Sequence, residues 1–398
     1  MKVRSRRWPM SRKMIEVSVQ PEVLRWARES SGSSIEEAAG RIGTSPALFA
    51  RLERETPKLR LSQLRILADY YKRPLAAFLL SEPPDEPRPP EDFRMLPGQH
   101  RVLERETRLA IRKASRLRSV ASEIMKNLGR DSSPKIESAR LSDDPGEIAA
   151  RERQALGVPI ATQFNWTDER QAYRTWRRAV EERNILVFQI HLPLEDARGF
   201  SLSEGEPFAI AVSSSDAVHA RIFTLFHEFA HLLLRRPAVC LPGKESKSKT
   251  SEAAVERWCN RFAGELLVPD SELRAILGKY PAVLETNVSE TLAATSRRFR
   301  VSEHVALWRM RELELISKAL FSHEMSRLQR LNKIRRKGGG GQFSASGKVL
   351  GENGRLFTSL VLEARGRNVV SYAEVVDYLS LRLKYLPEIQ SSLATVAA

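Results

Sequence analysis

The segment Phe223–Arg235 constrains the fold most, because it places polar groups inside an apolar run. Its sequence, FTLFHEFAHLLLR, sets His227, Glu228 and His231 among Phe, Leu and Ala residues. Its length and composition predict a helix that is apolar on nearly every side and therefore buried. Burying an unsatisfied polar group costs a few kcal/mol. The fold must therefore provide partners for these three side chains.

The spacing of the three residues indicates what that partner is. His227 and His231 stand four positions apart, so they share one face of a helix. Their imidazoles can bind one tetrahedral ion, and Glu228 beside them can act as a base on water. This is the H-E-x-x-H pattern of zinc sites. Two core histidines bonded to the backbone are the alternative, and the apolar surroundings favour Zn²⁺.

A catalytic zinc site needs a third protein ligand and keeps one position open. The carboxylates on or beside the next predicted helix, 251–269, are those of Glu252, Glu256 and Glu265. Glu256 is the predicted third ligand, because it shares the inward side of that helix with Asn260. Asn260 is then predicted to orient a ligand by hydrogen bonding. A solvated charge at Glu256 is the alternative, and Cys259 is either a small buried residue or a further ligand.

Residues 21–80 have the pattern of several short helices. Helix start and stop signals bound PEVLRWARESSG, SIEEAAGRIG and TSPALFARLER, and two more helices are predicted around Pro74. Short helices joined by a tight turn predict a helix-turn-helix, whose second helix, Ser45–Glu53, enters a DNA groove. Leu48 and Leu52 are predicted to face inward. Ser45 and Arg51 are then the residues left to contact bases.

The remaining chain predicts further domains and linkers. Strands are expected in NILVFQI and PFAIAVSSSD, and helices in most other segments. The predicted fold is mainly α with a small β-sheet (α+β). The stretch RRKGGGGQ is predicted to be a flexible linker, since it lacks the order of a phosphate-binding loop. The predicted divisions are a basic arm 1–20, the helix-turn-helix domain 21–80, a Pro-rich linker 81–100, a zinc-binding domain 101–316 with its core at 160–316, a basic Gly-rich linker 317–348 and a helical C-terminal region 349–398.

The positive charge is concentrated at two places. The net charge is +16; residues 1–80 carry a surplus of 8 and residues 317–348 a surplus of 7, which leaves about one for the rest. Such concentration indicates contact with polyanions, and solvated tails are the alternative. Two cysteines and the lack of a long apolar stretch predict a cytoplasmic protein with no membrane span.

Several stretches together resemble the ImmA/IrrE family of zincin-like metallopeptidases. They are RGFSL, PFAIAVSSSD, RIFTLFHEFAHLLL, ERWCNRFAGELLVP and FRVSEHVALWRMREL, spread over 160–316. The resemblance implies His227, His231 and Glu256 as zinc ligands and Glu228 as the base. Residues 21–80 resemble an XRE-type (Cro/C1-like) domain. Departures from the family pattern are Phe229, Cys259 and Ser213.

The resemblance implies a zinc endopeptidase that makes a single cut in a helix-turn-helix repressor, in a stress or mobile-element response. An extended substrate is expected to pair with the strand 207–213. In a second interpretation, the zincin-like domain is a sensor without turnover and the protein is a DNA-binding regulator. In a third, it is an antitoxin-like or phage-encoded regulator. Residues 21–80 are expected to contact DNA or, alternatively, the similar domain of a partner repressor.

Overall fold

A computed structural model describes residues 15–55, 58–84, 103–235, 239–240, 251–277, 287–335 and 344–394. Most of the predicted basic arm, most of the Pro-rich linker and nearly all of RRKGGGGQ lie outside these residues. Contacts divide the chain into unit 1, Met1–Arg88 with Val102–Leu109, and unit 2, Pro89–Arg101 with Ala110–Ala398. The predicted fold class is confirmed, since helices dominate and the sheets are small. In the described part, no helix has the length and apolarity to cross a membrane.

Unit 1 is a bundle of short helices with a two-stranded antiparallel sheet. Its elements are β1 (Glu16–Ser18), α1 (Pro21–Ser30), α2 (Ile35–Ile42), α3 (Pro46–Leu52), β2 (Lys58–Arg60), α4 (Leu61–Tyr70) and a 3₁₀ turn (Leu75–Leu79). Ser34 and Glu37 form a capping box at the start of α2, and Gly43 at φ 67° ends it. The turn between α2 and α3 follows from these local signals, whereas the XRE-type assignment remains a prediction.

The inward face of α3 differs from the predicted one. Leu48, predicted to face inward, is 39% exposed, whereas its neighbour Phe49 is fully buried. Successive helical residues point about 100° apart, so on a helix with an exposed side, such as α3, one of the two can face the core while the other faces solvent. The larger aromatic ring takes that place because it removes more apolar surface from water. Leu52 is half-buried.

A buried ion pair joins α1 to the end of α3. The carboxylate of Glu53, with 4% of its side chain exposed, accepts hydrogen bonds from Nε and Nη2 of Arg28, both at 2.7 Å. Arg25 Nη2 donates to the carbonyl oxygen of Glu53 at 2.6 Å. The hydrogen bond to Glu53, although opposed by burial, raises the pKa of Arg28. Two parallel bonds fix both the distance and the angle between the helices.

Unit 2 carries a four-stranded sheet with helices packed around it. Its strands are β3 (Leu186–Ile190), β4 (Gly199–Leu202), β5 (Ala209–Ser213) and β6 (Val239–Cys240). The helices that precede β3 are α6 (Pro145–Ala155), α7 (Ile160–Phe164) and α8 (Glu169–Glu182). An earlier helix, α5 (Arg105–Asn127), begins within unit 1. The later helices are α9 (Val218–Leu233), α10 (Ser251–Leu267), α11 (Asp270–Leu277), α12 (Val288–Phe299), α13 (Glu303–Glu312), α14 (Lys318–Arg335), α15 (Ala345–Asn353), α16 (Arg355–Gly366), α17 (Tyr372–Leu379) and α18 (Leu386–Ala394).

The order of the sheet is β3-β5-β4-β6, with β3 and β5 parallel and the other pairs antiparallel. β5 is therefore paired on both sides. The expectation that an extended substrate pairs with 207–213 is wrong, because β3 and β4 already take the backbone hydrogen bonds of that strand. α14 lies inside the stretch predicted as a basic linker.

The helix α9 occupies the centre of unit 2. It packs against α8, α10, β4 and β5, and its residues from Thr224 to Leu233 are all buried. This is the result expected of a helix that is apolar on nearly every side. The same packing places the polar residues of α9 in the interior.

The C-terminal helices are docked against α8 and β3. Glu181 on α8 accepts hydrogen bonds from the backbone N–H of Arg355, at 3.1 and 3.2 Å, where α16 begins. Gly354 adopts φ +78°, and a Cβ there would lie 2.7 Å from the carbonyl oxygen of Val187. Phe357 packs edge-on against Phe188 with ring centroids 5.6 Å apart. The C-terminal region therefore shares a packed interface with the rest of unit 2.

The Arg28–Glu53 pair yields a test of unit 1. Glu53→Ala removes two hydrogen bonds from the Arg28 guanidinium, which keeps the exposed Glu29 carboxylate at 3.3 Å and the carbonyl oxygen of Ser33 at 3.2 Å. The free energy of unfolding of unit 1 should therefore fall by about 1.5–3 kcal/mol. Glu55→Ala is the matched control, since Glu55 is 73% exposed and 3.9 Å from Arg51. In this variant the free energy of unfolding should fall by less than about 1 kcal/mol. Hydrogen exchange of α1 and α3 in the full chain measures both. Equal losses in the two variants would contradict the assignment.

Candidate metal centre

Two helices bring the predicted ligands together. His227 and His231 lie one turn apart on α9, and Glu256 projects towards them from α10. The Nε2 atoms of the two histidines are 3.2 Å apart. Glu256 Oε2 lies 3.3 Å from His227 Nε2, and Glu256 Oε1 lies 3.3 Å from His231 Nε2. Among the described residues, these three form a group that could hold a metal ion.

The spacing of these atoms fits a tetrahedral ion. Zinc binds histidine nitrogen and carboxylate oxygen at about 2.0–2.1 Å, which keeps tetrahedral ligand atoms about 3.3–3.4 Å apart. The observed separations of 3.2–3.3 Å match that value. Two imidazoles and one carboxylate are also a donor set that zinc accepts in catalytic sites, with one position left for water or substrate.

Asn260 contacts one of the ligands, as predicted. Its side-chain oxygen Oδ1 lies 3.0 Å from His227 Nδ1. When Nδ1 carries the proton and donates to this oxygen, the lone pair of Nε2 is directed at the metal position. Asn260 was expected on an inward face, but it is an exposed residue. It reaches His227 from the solvent side of α10.

Glu228, which follows His227 on α9, lies against the sheet. It is fully buried, and it lies beside Gly199 of β4. A Cβ on Gly199 would lie 3.5 Å from Glu228 Cγ, 2.5 Å from Thr224 Cγ2 and 2.8 Å from the carbonyl oxygen of Ala211. Glycine is therefore required for this close approach of strand and helix. Sequence reasoning missed this role, although RGFSL carried the signal.

The charge state of Glu256 suits a metal ligand. Burial raises the pKa of its carboxyl group, but when the Nε2 atoms of His227 and His231 carry protons, their hydrogen bonds outweigh burial and hold the pKa well below its usual range. The carboxylate is thus ionised at neutral pH. Because 31% of the Glu256 side chain is exposed, the metal group is open to solvent on the side where Glu256 lies.

The other candidate ligands have different roles. Glu265 is paired with Arg309 and accepts a hydrogen bond from the backbone N–H of Asp270 at 3.0 Å. Cys259 is fully buried among apolar residues. Glu252 lies one turn before Glu256, in the first turn of α10.

The residues predicted to contact DNA lie in unit 1. Ser45 caps α3, its Oγ accepting a hydrogen bond from the backbone N–H of Leu48 at 3.2 Å. Arg51 has 65% of its side chain exposed. Sequence analysis did not single out four more exposed basic residues that follow α3, namely Arg54, Lys58, Arg60 and Arg65.

Comparison with known proteins bears on unit 2. Residues 180–311 match the family model described as Peptidase_M78, the IrrE N-terminal-like domain. The matched segment contains β3 to α13 and all three candidate ligands. It supports a metallopeptidase domain of the zincin-like type in this part of the chain. No curated protein matches the chain.

Substitutions on α10 test the metal group. Glu256→Ala removes a ligand atom and should weaken zinc binding by more than about 100-fold, whereas Asn260→Ala should weaken it by about 10–100-fold. Competition against a chromophoric chelator measures both affinities. Glu252→Ala, one turn earlier on the same helix, is the control and should bind zinc like the wild type. Undiminished affinity in Glu256→Ala would move the third ligand elsewhere.

Proposed function

We propose that this protein is a zinc-dependent endopeptidase. The observation that carries the proposal is the cluster of His227, His231 and Glu256, in which each histidine Nε2 lies 3.2 Å from the other and 3.3 Å from one oxygen of the Glu256 carboxylate, next to the buried residue Glu228. The match of residues 180–311 to a peptidase family model supports the same activity. A metal group of this shape with a carboxylate base beside it is the minimum needed for metal-assisted hydrolysis of a peptide.

A zinc ion held by these ligands would polarise the peptide carbonyl group and lower the pKa of the attacking water. Glu228 accepts the proton that this water loses as its oxygen attacks the carbonyl carbon. Glu228 then delivers that proton to the nitrogen of the leaving amine as the C–N bond breaks. Gly199 lets the Glu228 carboxylate lie close against β4, and Asn260 holds the His227 ring in its orientation.

The proposed substrate is a helix-turn-helix repressor, cut once in a stress or mobile-element response. The resemblance of unit 2 to ImmA/IrrE peptidases supports this choice, as does the pairing of a peptidase domain with the short helices of unit 1. The competing function is a DNA-binding regulator whose unit 2 senses a signal without turnover. Both functions require the metal ligands, whereas only hydrolysis requires the base.

Glu228→Gln separates these two functions. The variant keeps its size and its place against Gly199 but cannot accept a proton, so zinc content should stay at the wild-type level and cleavage should be lost. New protein N-termini are compared in cells that express the wild type or the variant. A fragment formed only with the wild type identifies the substrate. Cleavage that persists with Glu228→Gln would contradict the role of the base.

For unit 1 we propose contact with DNA, mainly with its phosphates. α2, α3 and the turn between them act as a helix-turn-helix in this proposal. The proposal is supported by five exposed basic side chains, namely Arg51, Arg54, Lys58, Arg60 and Arg65. They lie on α3, β2, α4 and the connection between α3 and β2. The outer face of α3 offers few base-reading groups, since Leu48 is exposed there. Phosphate contacts position a protein on DNA without reading sequence.

Salt dependence tests the phosphate contact. Arg51→Ala should weaken binding of a random-sequence duplex and reduce the slope of log Kd against log salt concentration by about one unit. Lys72→Ala is the control. Lys72 is also exposed, but it follows the C-terminal end of α4, whereas Arg60 precedes the N-terminal end of that helix. Fluorescence anisotropy over a series of salt concentrations measures both slopes. An unchanged slope in Arg51→Ala would remove Arg51 from the contact surface.

A further inference from the structure

Phe223 is an aromatic residue that the catalytic scheme does not use, and it lies beside the metal group. From Ile222 to Leu233, all residues of α9 are buried except Phe223, which keeps partial exposure. It stands one turn before His227 on the same face of the helix, and the two ring centroids are 6.2 Å apart. Phe223 therefore packs against the core of unit 2 and keeps part of its surface towards solvent next to the candidate ligands.

Residues near Phe223 and the metal group are also partly open to solvent. Glu256 is 31% exposed and Asn260 is an exposed residue, so the metal group opens to solvent where α10 faces it. His219, one further turn before Phe223, is half-buried, and burial lowers the pKa of its imidazole. The face of α9 leading to the metal position is thus formed by an aromatic ring and a neutral imidazole.

We propose that Phe223 forms the floor of a specificity subsite for an apolar side chain next to the scissile bond. This inference rests on the proposed peptidase function. The two Cα atoms that flank a peptide bond are about 3.8 Å apart, so when the peptide carbonyl lies at the metal position the side chain of a flanking residue falls within reach of the ring. An apolar side chain would cover the exposed part of Phe223 and remove both surfaces from water. Substrates with Leu, Met or Phe at that position are therefore favoured over those with Asp or Glu.

The subsite can be measured without turnover. Acetyl-capped amino-acid hydroxamates of Leu, Ala and Asp bind through the same zinc-ligating group and differ only in the side chain. Their affinities are determined by calorimetry on the zinc-loaded full chain, with zinc content measured for each variant. The wild type should bind the Leu compound at least about tenfold more tightly than the Ala compound, the range expected for a few methylenes in an apolar pocket.

Three variants of Phe223 sharpen the test. Phe223→Ala should reduce the Leu-to-Ala ratio at least about fivefold, whereas Phe223→Leu should retain it, because a comparable apolar surface remains. Phe223→Arg should shift the ratio of Leu to Asp affinity towards Asp by more than about tenfold. Tyr372→Ala removes another half-exposed aromatic residue, far along the chain on α17, and should leave all ratios unchanged.

Distinct outcomes separate this inference from the peptidase function. An unchanged Leu-to-Ala ratio in Phe223→Ala at normal zinc content would overturn the subsite, and so would a wild-type preference for Asp. Failure of every hydroxamate to bind the zinc-loaded wild type would overturn it as well, since no side chain would then reach Phe223 beside the metal. A preserved ranking together with the absence of cleavage in cells would leave the subsite standing and remove the peptidase function.

Discussion

The organisation of unit 2 depends on one constraint, which is the burial of His227, Glu228 and His231 within an apolar helix. The imidazoles meet a carboxylate from α10, and Glu228 lies against a strand where glycine leaves room. The metal group thus joins two helices that already pack against each other. The ligand atoms come from two separate helices, and only folding brings them together. The affinity for metal and the stability of the fold are therefore linked.

Much of this site could be predicted from the sequence, because its information is local. The i, i+4 spacing on α9 placed the two histidines on one face, and the same helical geometry on α10 brought Glu256 and Asn260 together. Helix boundaries such as Ile35–Ile42 followed from caps and stop signals. These features need only the geometry of a single helix.

The errors have a common origin in contacts between separate segments. β5 is paired on both sides by β3 and β4, the two strands before it, and the pattern of a single strand does not report which neighbours it takes, so the strand could not be recognised as central. The role of Gly199 depends on how closely β4 approaches α9, which periodicity does not report. Leu48 and Phe49 are both apolar and adjacent, so only the packing of unit 1 decides which one enters the core.

The docked C-terminal helices have a consequence for the sheet. β3 is the end strand in the described order β3-β5-β4-β6, and the carbonyl oxygen of Val187 on its outer side accepts a hydrogen bond from the guanidinium group of Arg177. α15 and α16 lie over the same strand, with Gly354 close to that oxygen. An uncovered strand edge is a template for pairing with another chain. α15 and α16 therefore protect this edge from intermolecular strand pairing, and a chain that ends before α15 would be prone to self-association.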